Sequence, residues 1–191
     1  MTGRFYKSER GSASVETALF LSIFVAIVLI FADFYLVARA RTDLERITNT
    51  ISSTLSSQVE LTSNGFNYLV EGVLSGVSGE YQIFVGQINS NRDVKWSLAT
   101  GNGEELCENP LENTPFQEAL PEDEEGEDAD KVAMIYVQAC QRTESLNLTS
   151  LVLSNDVLRS ITINRMRTAD LEMDEDLRQR AGLPEEDEEE E

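Results

Sequence analysis

Two groups of residues have types and spacings that could support chemistry. The first is Gly11, Ser12 and Glu16, which follow a short basic leader, MTGRFYKSER, with Arg4, Lys7 and Arg10 set against Glu9. From Thr17 to Ala32 there is no charge, so Glu16 stands alone at the start of a long apolar run. A carboxylate in the first helical turn is favoured by the helix dipole. A carboxylate without a partner at the edge of a membrane span is costly, and so points to a specific partner. If the chain were cut after Gly11, the new amine of Ser12, in the same subunit or a neighbour, would be a candidate. The plainer alternative is an interfacial Glu on an ordinary anchor. The second group is Cys107 and Cys140. In an oxidising compartment the pair is expected to form a disulfide; otherwise the two are unpaired thiols, one of them buried in a strand.

Catalysis by the chain itself is not expected. The sequence has no histidine, which removes the commonest general base and metal ligand. It also lacks a nucleophile-elbow sequence and a phosphate-cradling glycine loop. The acidic run Glu122–Asp130 lacks the alternating ligands and glycine spacing of an EF-hand, and is expected to be a solvated loop rather than a calcium site. No cofactor and no metal are expected.

These residues must be positioned by the apolar stretch itself. Thr17 to Ala38 is 22 residues, or about 33 Å of helix against a hydrocarbon core of about 30 Å. Basic residues before it hold its N-terminus in the cytoplasm. Asp33-Phe34 falls near the far edge, where a carboxylate is expected to reach headgroups or water. Beyond Arg39, the residues Leu44, Ile47, Ile51 and Leu55 form one apolar stripe that Val59 extends, with neither Gly nor Pro between Ser12 and Asn64. The pattern predicts one helix of roughly 45 residues, apolar all round and then amphipathic.

Downstream, Thr62-Ser63-Asn64 offers an N-cap for a short helix over Phe66–Leu74 that Gly76 can end. Tyr81–Ile88 and Val94–Leu98, joined by turn residues 89–93, predict a hairpin with one wet face. Residues 101–130 read as an irregular connection, with prolines at 110, 115 and 121. Lys131–Gln141 is apolar on both faces and predicts a central strand. Leu146–Leu158 fits no single element, and Ser160–Met166, alternating Ile161 and Ile163 with polar residues, predicts a last strand, compatible with an edge. The fold class expected is therefore α+β: a long N-terminal helix packed on a small antiparallel sheet, with a disordered acidic loop and tail. The divisions are a leader over 1–11, the transmembrane and assembly helix over 12–61, an α+β domain over 62–168 with acidic loop 118–130, and a tail over 169–191.

The chain carries 35 acidic and 15 basic side chains, a formal charge of −20. This excess argues against nucleic acid as a partner, which needs a basic face. Half of it sits in residues 170–191, where 12 acids face two arginines. Such blocks stay solvated and resist folding, so at most a short helix is expected around Asp170–Arg180.

The run SVETALFLSIFVAIVLIFADFYLVARARTDLERI resembles the N-terminal region of TadE/TadF-like proteins, minor pseudopilins of tight-adherence (Flp-type) pilus systems. The resemblance is carried by Val15-Glu16 with Ala18-Leu19, by Asp33-Phe34 near the end of the apolar segment, and by the polar helix that follows. It covers about 50 residues of this sequence. The strand KVAMIYV and a last strand ending near Arg165 and Arg167 match in layout. Ser12-Ala13-Ser14 departs from the apolar start of many type IV pilins, and the acidic loop and tail are not features of the family. The resemblance implies cleavage by a prepilin peptidase between Gly11 and Ser12 at the cytoplasmic face, and leaves N-methylation of Ser12 open. It implies residence in a bacterial inner membrane with the C-terminal domain periplasmic. Its partners would be the lipid bilayer, other pilins and pseudopilins, and the pilus assembly platform. The subunit would pass into, or help initiate, a pilus used in surface attachment.

Two rival classes predict other mature N-termini. A secreted protein would be cut by signal peptidase near Ala38-Arg39-Ala40. A permanently anchored periplasmic interaction protein would keep Met1.

Overall fold

A computed structural model of the chain describes residues 10–113, 115–120, 132–142, 157–169 and 171–184. Side chains of α1, the helix Arg10–Leu55, are described from Ser14 onward. At 46 residues, α1 has the length and two-part character expected. Leu44, Ile47, Ile51 and Leu55 are buried, because their three- and four-residue spacing puts them on one face. The extension to Val59 fails: α1 ends at Leu55 and Val59 is 56% exposed. The exit is made by serines. Ser56 and Ser57 turn their hydroxyls onto the carbonyls of Ser53 and Thr54, while the amides of Ser57 and Gln58 shift to three-residue bonds. Hydroxyl side chains compete with the helix in this way without any glycine or proline.

After β1 (Glu60–Leu61), helix α2 spans Ser63–Leu74. Thr62 is its N-cap, accepting from the Gly65 amide at 3.1 Å. Gly76, at φ +93°, turns the chain out of α2 in a conformation that side-chain-bearing residues rarely adopt. Strand β2 (Tyr81–Asn89) is followed by β3 (Val94–Gly101), β4 (Ala133–Arg142) and β5 (Val157–Arg165). They form one antiparallel sheet in the order β3-β2-β4-β5. The fold class is α+β, with α1 on the sheet. β4 is central, and β5 is an edge that begins three residues before the expected Ser160.

Each face of the sheet has its own core. On one face, Ile83, Val85, Trp96, Leu98, Ile135 and Val137 pack with the α1 stripe and α2. Thr48 of α1 lies between Ser160 and Thr162 of β5, at 3.2 and 3.0 Å, so this buried seam keeps its polar atoms paired. On the other face, Phe84, Ile88, Met134 and Tyr136 are covered by Leu111 and Phe116. The hairpin's expected wet face is therefore confined to β3, where Lys95 and Ala99 are exposed; β2 is buried on both faces. The cover comes from residues 101–120, which include a 3-10 turn at Pro110–Glu112. Proline suits such a first turn because its missing N–H would be unpaired there anyway. Gly86 makes the close approach possible: a Cβ there would lie 2.7 Å from Leu111 and 2.6 Å from the Trp96 carbonyl.

The short helix allowed around Asp170–Arg180 is present, and the first part of the tail expected to be disordered is folded with it. β6 (Glu172–Met173) pairs in parallel with β1, and α3 spans Glu175–Arg180. Leu177 is fully buried in the helix-side core. Asp174 supplies the anchor, since one carboxylate oxygen accepts from the Ser63 amide at 2.7 Å and the other from the Leu177 amide at 2.9 Å. It thereby caps α3 and ties it to the start of α2. Asp174→Ala removes both charge-assisted bonds and is expected to cost about 2 kcal/mol. Urea unfolding followed by Trp96, the sole tryptophan and a buried one, measures this; a change below about 0.5 kcal/mol would show that the anchor is idle. The acidic run Glu122–Asp130, residues 146–156 and the terminal acids 185–191 lie outside the described residues.

Candidate functional site

The N-terminal half of α1 presents the largest unpartnered surface among the described residues. Val15, Leu19, Phe20, Ile23, Phe24 and Phe31 are all exposed, with Phe31 at 69%. The helix is long and apolar enough to cross a membrane. Soluble monomers rarely leave a contiguous apolar surface of this extent bare, so it marks a surface for a membrane or another apolar partner. The same helix is locked onto the sheet by its second half. Any partner gripping the first half therefore holds the folded domain through an unbroken rod of α-helix.

The expected processing residues sit at the start of this rod. Gly11 and Ser12 lie in the first turn of α1, which begins at Arg10. Glu16 is exposed and comes in the second turn of the uncut chain, since no acid occupies the first turn. The dipole's support therefore weakens there, because it fades beyond the first turn. A chain starting at Ser12 would bring Glu16 to its fifth position.

Asp33 and Phe34 part company. Phe34 is 57% exposed, like the other apolar side chains of this half of α1, whereas Asp33 is fully enclosed and has interaction partners. The expectation that Asp33 reaches headgroups or water is corrected. It lies seven residues before the buried Ala40, on the face that continues toward the sheet. Two turns of helix thus pass from the exposed segment into the core along one stripe.

Cys107 and Cys140 form a disulfide, joining the covering segment to the central strand. Gln138 sits beside it. Its Nε2 donates to the Glu108 carbonyl at 3.0 Å and lies 3.0 Å from Cys107 Sγ. Its Oε1 accepts from Tyr136 at 2.7 Å and from Arg159 at 3.0 Å. Arg159 also pairs with Glu118. Burial pushes the Tyr136 phenol up to about 12, against the opposing pull of Arg159, so it stays a proton donor to Gln138. Desolvation draws the Arg159 guanidinium down, but hydrogen bonds to Glu118 and Tyr136 outweigh it and the net shift is upward. Phe116 meets Tyr136 edge-on, ring centres 5.1 Å apart. Each member of this network has a partner, and together they hold the cover on the sheet. Sequence reasoning missed Gln138, Tyr136, Arg159 and Glu118. The available signal was polar residues inside a strand apolar on both faces, which must be satisfied by something laid across it.

The structure does not bring the two groups together: the disulfide lies on the sheet face opposite α1, and Gly11, Ser12 and Glu16 lie at the far end of the helix. Comparison with family models, curated proteins and solved structures yields no match.

Proposed function

We propose that the chain is a minor pseudopilin of a tight-adherence pilus system, cut after Gly11 by a prepilin peptidase and assembled through α1 with other pilins. One observation carries this reading. A single uninterrupted helix is bare and apolar over its first half and fused to a folded domain over its second. A subunit that must leave the bilayer and enter a helical bundle needs both properties in one element. The apolar surface that meets lipid before assembly then meets neighbouring helices. Glu16, the single carboxylate at the base of that surface, is placed to pair with the Ser12 amine created by cleavage. The helix starts in the cytoplasm and its domain is periplasmic, where the disulfide can form.

The signal-peptidase alternative is less favoured by the geometry. Its cut would fall beside Ala40, which is buried in the middle of a continuous helix. Co-expression with a prepilin peptidase tests the proposal. The wild-type chain should lose residues 1–11, and Gly11→Ala should slow the cut by roughly 10- to 200-fold, the range for one methyl group in a tight subsite. Equal processing of both chains, or no processing of either, contradicts it.

A further inference from the structure

A groove lies where α1 would leave the bilayer. Leu36, Arg39 and Asp43 line it on one side; Gly72, Gly76 and Val77 close it on the other. Its larger compartment, about 360 Å³, extends along α1 to Arg46, and its smaller one, about 240 Å³, reaches back to Leu36. The two share Arg39, Asp43, Gly76 and Val77.

The groove is charged in both senses. Arg39 and Asp43 stand 4.0 Å apart with well-exposed side chains, a loose pair that contributes little by itself. Arg46 has no ion-pair or hydrogen-bond partner among the described residues. Helix α2 ends here, at Leu74, and so turns the negative end of its dipole toward the groove. Two guanidiniums along one wall, with a carboxylate and a helix C-terminus beside them, match a ligand carrying an anion and a cation a few ångströms apart.

We infer that this groove seats the phosphoethanolamine headgroup of a bilayer phospholipid, the phosphate on Arg39 and Arg46 and the ammonium on Asp43 and the α2 terminus. The inference rests on α1 spanning the membrane. That placement sets Arg39 one residue beyond the apolar stretch, at headgroup depth. Leu36 belongs to the stretch itself, so the groove opens directly onto the surface that acyl chains would cover. Arg side chains reach phosphate through paired N–H groups. A primary ammonium can donate to a carboxylate, and also to the second lone pair of helix-end carbonyls such as those of Gly72 and Leu74, which already accept from Ser75 and Val77; a quaternary choline cannot. The seated lipid would hold the domain at one height and rotation above the bilayer, as a subunit awaiting assembly requires.

The test uses the full chain reconstituted into vesicles of equal parts phosphatidylcholine, phosphatidylethanolamine and phosphatidylglycerol. Flotation scores insertion, and native mass spectrometry after gentle extraction scores the retained lipid. Phosphatidylethanolamine should be enriched about fivefold over phosphatidylcholine, the scale of a pair of exposed charge contacts. Asp43→Asn should bring the ratio near one, because only the ammonium distinguishes the two lipids, and Arg39→Gln with Arg46→Gln should lower the retention of both. Chains that float but retain lipids without preference, prefer phosphatidylglycerol, keep their preference in Asp43→Asn, or keep their retained lipid in the double arginine variant overturn the groove assignment alone. A dimer that excludes lipid overturns it in favour of a second copy. A chain that fails to float overturns the span itself and this inference with it.

Discussion

Replacing Cys107 and Cys140 together with serine lowers the stability of the domain by about 4 kcal/mol. The bond closes a loop with a sequence separation of 33, and the chain-entropy relation for a loop of that size gives about this value. Much of the effect has an identifiable place. The bond pins residues 101–120 over Phe84, Met134 and Tyr136, and Gln138 rests on its sulfur. Without it, the cover is held by Leu111, Phe116 and the Arg159–Glu118 pair. Urea unfolding of the detergent-solubilised chain, oxidised against doubly substituted, reads the change through Trp96. A loss under about 1 kcal/mol would mean that the cover holds itself and that the bond is incidental.

Ile51→Asp unfolds the domain while leaving the apolar first half of α1 unaffected. Ile51 is fully buried between α1 and the sheet. Losing its side chain costs about 2–4 kcal/mol, and the carboxylate adds several more because no Lys or Arg is among the described buried residues. The total rivals the whole stability of an ordinary domain, about 5–15 kcal/mol. Limited proteolysis of membranes should show the sheet domain digested and the first half of α1 retained. Val59→Asp is the matched control. Sequence periodicity puts both residues in one stripe, but the exposed Val59 should tolerate the change to within about 0.5 kcal/mol. Equal damage at both positions would contradict the observed end of α1.

That contrast also marks how far the sequence was informative. The stripe from Leu44 to Leu55 was legible because a regular helix repeats its contacts every 3.6 residues. Its end was not, since Ser56 and Ser57 stop it by local hydroxyl bonding that the apolar pattern does not record. The central strand was legible from its continuous apolarity, and that same property demanded a second cover. Leu106, Leu111 and Phe116, five residues apart in a proline-marked segment, supply apolar cover without any helical or strand period. The folded part of the tail was hidden by its charge. Leu177 and the capping Asp174 are the two residues that mattered, set among acids that face water. Of the candidate site, the apolar helix was plain from composition. The enclosure of Asp33 was not, because an acid in an apolar helix gives no signal of its own burial.

Cleavage after Gly11, as proposed, leaves a chain that begins at Ser12. Intact-mass and N-terminal analysis of the protein from its native host should find Ser12 at the N-terminus, with or without one added methyl group. A chain beginning at Met1 or at Arg41 would contradict the account.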